Sequence, residues 1–189
     1  QETAQDKVKK LKGKTGRVSD IVREEKKDLP PQLFDLTTLQ REANRLLGFT
    51  ADKTLKVAQS LYETKKAITY PRTDSRYLPH DMVGRVYKSM ENLAEPYAGL
   101  TAVIERPDGK LTISRRLFDD AKVSDHHAII PTPQKTSPDK LAPDEKALFD
   151  LIARRFIAAF CSAHTYEATR VTTQAEGESF KTLGKTVRE

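Results

Sequence analysis

The sequence predicts an α+β chain in which a mostly helical insert interrupts one β unit built from the two ends. Three observations lead there. Alternating or β-branched stretches lie near both termini, as strands require. Between them run segments whose apolar residues recur at helical spacing. Pro30-Pro31 then separates the first strand-like stretch from the first strong helix.

The opening residues, "QETAQDKVKKLKG", read as the end of a helix with Val8 and Leu11 as its last apolar positions, and Gly13 and Gly16 bracket a turn. "RVSDIVREEKK" alternates Val18, Asp20 and Val22 with Ser19, Ile21 and Arg23, which fits a strand with at most one well-buried face. After "DLPPQ", Leu39, Ala43, Leu46 and Leu47 share one helical face. Thr37 or Thr38 is expected at its N-cap, and Gly48 at the left-handed position that ends it. Thr50 caps a second helix through Lys65, with Leu55, Ala58, Leu61 and Tyr62 turned inward. Two helices joined by "GFTA" fit either a helix-turn-helix or a plain helical hairpin.

Pro79 opens a third helix carrying Met82, Val83, Val86, Met90 and Leu93, and Pro96 closes it. Residues 98–136 read as irregular, with a short β-hairpin at Asp108-Gly109. Pro143 opens a fourth strong helix, with Asp144 and Glu145 at the end where acidic groups are favourable. Its apolar set is Ala147, Leu148, Leu151, Ile152, Phe156, Ala159 and Phe160, and Cys161 follows as a small core residue. The tail turns β-branched around Gly177 and reads as a hairpin.

Composition narrows the function classes. A chain of 189 residues, 37% hydrophobic and 32% charged, has room for one or two domains and a sizeable core. Its formal charge of +6 suits a polyanionic partner, and equally an ordinary soluble surface. A single cysteine excludes an internal disulfide and points to a reducing, cytoplasmic setting. No apolar run approaches the ~20 residues of a membrane span, and no signal peptide is visible. The chain begins with Gln, so a piece of a longer protein is expected.

Several familiar motifs fail. "GKT" at 13–15 resembles the end of a phosphate-binding loop, but Val8 stands where that loop needs glycine. There is no GxGxxG, no HExxH, no cysteine pair, and no DxD to hold magnesium. His126 and His127 are adjacent and poorly placed to share one metal without further ligands.

The chemistry gathers at "AITYPRTDSR". A residue before proline is pushed into an extended backbone, so Tyr70, Arg72 and Asp74 can share a face. A phenol is a weak nucleophile at neutral pH. A neighbouring guanidinium favours phenolate and can hold a phosphate oxygen, and Asp74 can orient Arg72 or assist proton movement. The spacing suits attack on a phosphodiester. It also suits a surface turn in which the Arg and Asp merely pair. In "SDHHAIIPT", a histidine near such a phosphate can donate a hydrogen bond or a proton, or simply cap or fill.

"LFDLTTLQREANRLLGFTADKTLKVAQSLYE", "ITYPRTDSRYLP" and "DHHAIIPT", in that order, resemble type IA DNA topoisomerases, the topoisomerase III branch above all. The resemblance runs from Gly16 to the C-terminus. It implies that Tyr70 attacks single-stranded DNA to form a 5′-phosphotyrosyl link, that Arg72 contacts the scissile phosphate, and that His126 is the family histidine. Asp74 and His127 would support them, and Arg72, Thr73, Arg76 and His126 would lie along the DNA. It implies a CAP-like helix-turn-helix domain over 30–164 that carries the tyrosine, inserted into part of a β-rich arch formed by 1–29 and 165–189. The family's Toprim domain, which handles Mg2+, has no counterpart in these residues, so no metal is expected here. Single-stranded DNA and the remaining domains of the same polypeptide are the implied partners. The piece alone is expected to be inactive. A non-catalytic helix-turn-helix DNA-binding module is the rival; it accounts for the charge but not for the Tyr70–Asp74 array.

Overall fold

The computed structural model describes residues 3–136 and 138–187 and contains both helices and one antiparallel sheet. The chain divides into two compact units. One joins the residues up to Leu29 with those from Ala163 onward, and the other is Pro30–Ser162.

In the first unit, α1 (Ala4–Leu11) starts at Thr3, whose hydroxyl accepts from the Asp6 N–H while Asp6 reaches back, a reciprocal cap. The strands β1 (Arg17–Asp28), β2 (His164–Ala175) and β3 (Glu178–Val187) form a sheet in the order β1-β2-β3, antiparallel throughout. A bulge between Val18 and Asp20 leaves Ser19 as the extra residue, and its hydroxyl donates to the Thr172 carbonyl at 3.2 Å. Ala175 pairs with Glu178, so the hairpin turns on two residues, Glu176 (φ 48°) and Gly177 (φ 79°). Positive φ at both positions gives the turn whose twist matches the strands. No residue of β1 is buried, consistent with a strand lacking a core face of its own.

The second unit holds α2 (Leu36–Leu47), α3 (Ala51–Glu63), α4 (Val83–Ala94), a short α5 (Ala98–Thr101) and α6 (Pro143–Ala159). The N-cap of α2 is Asp35, not Thr37 or Thr38. Its carboxylate accepts from the Thr38 N–H at 2.6 Å, so Thr38 occupies the third helical position and returns its hydroxyl to the cap. Gly48, at φ 67°, ends the helix as expected, and Thr50 caps α3. Leu39 and Ala43 of α2 are buried, whereas Leu46 is 52% exposed, so its apolar face is narrower than the spacing suggested. Ala58 and Leu61 of α3, Val86, Met90 and Leu93 of α4, and Leu148, Ile152 and Phe156 of α6 complete the helical share of the core. Full burial of a Val, Leu, Ile, Met or Phe side chain is worth about 1.5–3 kcal/mol.

The non-helical connections are held just as firmly. Phe34, Ile68, Leu78, Leu117, Phe118, Ile129 and Ile130 are all essentially inaccessible to solvent. Isolated bridges pair Phe34 with Ile129, Ile68 with Pro131 and Leu78 with Phe118. The segment "AITYPR", expected to be extended, makes a single bridge at Ile68 and runs on as extended chain. The expected β-hairpin at Asp108-Gly109 is instead a 3-10 turn over Pro107–Gly109, with Asp108 at φ 51°. The reason lies in the flanks. Ile104 and Leu111 are buried, and the Leu111 N–H donates to the Tyr87 hydroxyl at 2.9 Å rather than to a facing strand.

Candidate active site

The loop after α3 is built to present alternate side chains. Lys66, at φ 53°, turns the chain away from the helix, and the Ala67 N–H returns to the Leu61 carbonyl at 2.8 Å. Ile68 anchors in the core. The Thr69 N–H donates to the Ile130 carbonyl at 2.9 Å; its hydroxyl donates to the Ala128 carbonyl and accepts from the Ile130 N–H, both at 3.0 Å. Pro71 keeps Tyr70 extended. From there Pro71, Thr73 and Ser75 are buried while Arg72 and Asp74 are exposed, the two-residue alternation of an extended chain.

The buried partners tie this segment to its surroundings. The Thr73 carbonyl accepts from the Leu36 N–H at 2.9 Å, at the start of α2. The Thr73 hydroxyl donates to the His126 carbonyl at 3.0 Å and accepts from the Ser75 N–H at 3.1 Å. The Ser75 hydroxyl donates to the Lys122 carbonyl at 2.9 Å. Arg76 Nε donates to Asp35 at 2.7 Å. Burial opposes ionisation of Asp35, but the hydrogen bonds from Thr38 and Arg76 outweigh it and hold the carboxyl below the usual carboxylate range.

Tyr70 is half-buried between two rings. The His126 imidazole lies 4.2 Å away, centroid to centroid, tilted by 44°. Tyr62 lies 5.4 Å away at 77°, an edge-to-face contact. His126 is exposed, with its backbone held by Thr73. His127 is half-buried, and its Nδ1 is 2.9 Å from the Ala128 carbonyl.

The structure therefore brings Tyr70 and His126 together and sets Arg72 and Asp74 exposed on the same segment. Among the described residues, neither Arg72 nor Asp74 takes part in an ion pair, so the turn is not a self-satisfied Arg–Asp pair. Thr73, expected along the DNA, is buried, with its hydroxyl engaged by protein. Arg76 has its Nε on Asp35. Sequence reasoning missed Tyr62 as a contact of Tyr70, having placed it in the core. It also missed Tyr77, whose hydroxyl accepts from Gln32 at 3.0 Å and Lys122 at 3.4 Å. Those two bonds, Gln32 foremost, lower the Tyr77 phenol below its ordinary value. Among the described residues, no three His, Cys, Asp or Glu side chains gather as a metal site needs.

The site thus sets a tyrosine against an imidazole, with a guanidinium two residues on that makes no ion pair among the described residues. The DNA topoisomerase family model matches the chain over residues 1–189. The chain belongs to this family, as a type IA, topoisomerase III-like fragment. DNA topoisomerase 3 of Bacillus subtilis (strain 168) is 43% identical over 182 residues, covering 96% of this chain and 25% of that protein. DNA topoisomerase 3 of Bacillus licheniformis is 44% identical over 179 residues, covering 94% and 24%. The full-length topoisomerase I of Thermotoga maritima superposes with a TM-score of 0.70 at 28% identity, covering 98% of this chain and 30% of that one. The chain thus spans about a quarter of the length of the curated relatives it matches.

Proposed function

We propose that Tyr70 is the strand-cleaving nucleophile of a type IA DNA topoisomerase acting on single-stranded DNA. The Tyr70 oxygen attacks a backbone phosphorus. A tyrosine O–P bond forms, the P–O3′ bond breaks, and the proton lost by the phenol ends on the departing 3′ oxygen. The product is a 5′-phosphotyrosyl ester. Because that ester keeps the phosphodiester's energy, the 3′ hydroxyl can reverse the step after a second strand has passed, with no nucleotide consumed. Arg72 holds the phosphate by charge-assisted hydrogen bonds. His126, against the Tyr70 ring, donates a hydrogen bond or proton to the reacting group. Asp74 and His127 have supporting places.

The single observation that carries this reading is the packing of Tyr70 on His126, with Arg72 exposed on the same extended segment and, among the described residues, in no ion pair. Residues 30–164 then serve as the tyrosine-bearing domain, and the two ends as part of a β-rich arch. The described residues offer no ligand set for magnesium. We assign that ion to a Toprim domain elsewhere in the parent protein, and its location to the cytoplasm. We further propose that this chain on its own does not relax DNA.

Polarity of the adduct tests the reading. The full-length protein is mixed with single-stranded oligonucleotides labelled at one end, denatured rapidly and run on a denaturing gel. Protein should remain attached to the fragment that keeps the 3′ label. Attachment to the fragment keeping the 5′ label would contradict the mechanism.

A further inference from the structure

The chain crosses between its two units at two places, after Leu29 and after Ser162. Arg116 takes hold of both crossings from within the second unit. One terminal nitrogen, Nη1, donates to the Pro30 carbonyl at 2.7 Å and to the Pro31 carbonyl at 3.3 Å. The other, Nη2, donates to the carbonyl of Ala159, the last residue of α6, at 2.6 Å. A single planar group thus joins the segment that enters the unit to the segment that leaves it.

Both segments suit this hold. Pro30 and Pro31 have a restricted φ and no N–H, so the entering segment is stiff and offers carbonyls only. The next carbonyl, that of Gln32, accepts from Arg155 Nη1 at 3.3 Å, and Leu33 and Phe34 are buried. The Ala159 carbonyl is one of the four that a helix leaves without an internal partner, at the end where a cation is favoured. Arg116 is itself placed by its neighbours. Leu117 and Phe118 are buried, their N–H groups donate to the Ser114 carbonyl at 3.0 and 2.9 Å, and the Phe118 ring lies 6.4 Å from that of Phe160.

Stability alone does not account for the arrangement. Burial opposes the charge of Arg116, and among the described residues no carboxylate pairs with it. A desolvated cation without a counter-ion stabilises little. What a guanidinium supplies is donors in fixed directions from one rigid plane. On the far side of the crossings, the last rung of the β1–β2 ladder joins Asp28 to His164. The two segments are therefore tied by that rung at one end and by Arg116 at the other. Between the ties lie Leu29 on one segment, and the core residue Phe160 with residues 161–163 on the other.

We propose that Arg116 is a hinge staple, which confines bending between the two units to Leu29 and residues 161–163, so that the unit carrying Tyr70 moves as one body. The inference rests on the reading of Tyr70 given above: once the 5′ end is bound to Tyr70, a second strand passes only if this unit withdraws and returns. The hydrogen bonds of Arg116 go to none of Tyr70, Arg72 and His126, so it acts by position and not on the reacting atoms.

The test compares Arg116→Met and Arg116→Lys with the parent, all in the full-length protein. Arg116→Met keeps an unbranched stem but donates nothing. Relaxation of supercoiled DNA should fall about tenfold, the equivalent of one charge-assisted hydrogen bond, while cleavage of single-stranded oligonucleotides stays unchanged. Hydrogen exchange, which needs no activity, should quicken in the peptides covering 29–34 and 158–163 together, where the Phe160 and Cys161 amides bond to the Ile157 and Ala158 carbonyls. Arg116→Lys keeps the charge, but a single nitrogen does not make the fork. It should give an intermediate relaxation rate, and it carries the comparison if the Met variant does not fold. Equal falls in cleavage and relaxation would make Arg116 merely structural, and unchanged exchange at either crossing would leave nothing stapled; either result overturns the proposal. If the parent forms no adduct at Tyr70, that reading fails alone, and the exchange measurement still decides the staple.

Discussion

The ring of Tyr70 and the imidazole of His126 pack 4.2 Å apart, although they belong to segments distant in the chain. Two threonines on either side of Tyr70 hold those segments together. Thr69 bridges to Ala128 and Ile130, and Thr73 to the backbone of His126 itself. The packing of Tyr70 on His126 thus depends on two hydroxyl groups that bond to backbone rather than to either ring.

Thr69→Val should show this. Valine has nearly the same shape but can neither donate to the Ala128 carbonyl nor accept from the Ile130 N–H. A buried group left unsatisfied costs about 1–3 kcal/mol. Urea denaturation should show a loss of that order, and DNA cleavage by the full-length protein should slow even where the variant remains folded. Thr69→Ser, which keeps the hydroxyl, should recover most of both.

Asp35 links stability to pH. Its carboxyl is held below the ordinary range in the folded chain, so it binds protons more readily when unfolded. Its contribution is complete above the unfolded value of about 3.9 and is lost as the pH falls through the lower folded value. Asp35→Asn still caps α2 but carries no charge for Arg76. It should be less stable than the parent at neutral pH and lose less of its stability on acidification. Denaturant midpoints measured at both ends of that range check the sign.

Arg72→Ala should leave binding of the strand largely intact while cleavage falls. Loss of one preorganised group on a developing charge is worth about 2.7–4 kcal/mol, or about 10²–10³ in rate. Arg72→Lys should recover only part, since an ammonium does not reproduce the planar fork. Single-turnover cleavage by the full-length protein measures both.

His126 can act through its nitrogens or through its packing, and two variants separate these. His126→Phe keeps a ring against Tyr70, and His126→Ala removes it. If the imidazole takes part in proton movement, both should be slow and both should change the shape of the pH–rate profile. Recovery of parental rates by the Phe variant would assign His126 to packing alone.

Much of this was legible in the sequence, and the omissions have physical causes. Pro71 announced the extended backbone, and with it the exposed Arg72 and Asp74. Helical spacing located α3, α4 and α6. It could not separate Asp35 from Thr37 or Thr38 as the cap, because all three side chains offer a suitable oxygen and the choice depends on where Phe34 anchors. It also read Tyr62 as core, since a residue at the end of a helix can bury one edge and offer the other to a neighbouring loop. The turn at Asp108-Gly109 has hairpin chemistry, yet Ile104 and Leu111 sink into the core instead of pairing. Packing of His126 on Tyr70 is a long-range contact that no local pattern encodes; the residues offered His126 and His127 together, and only the family resemblance chose between them.

The most direct test removes one oxygen. Tyr70→Phe keeps the ring between Tyr62 and His126 but cannot form the ester. Tyr77, seven residues on in the chain, supplies a built-in control, because the bonds from Gln32 and Lys122 lower its phenol below the ordinary value. The measurement is denaturing electrophoresis of end-labelled single-stranded DNA after rapid denaturation of full-length protein, with the attached residue located by peptide mapping. The expected result is a parent adduct at Tyr70, with the Tyr70→Phe protein folded, able to bind DNA and free of adduct. An adduct that persists in Tyr70→Phe and maps to Tyr77, or to any other residue, would contradict the assignment.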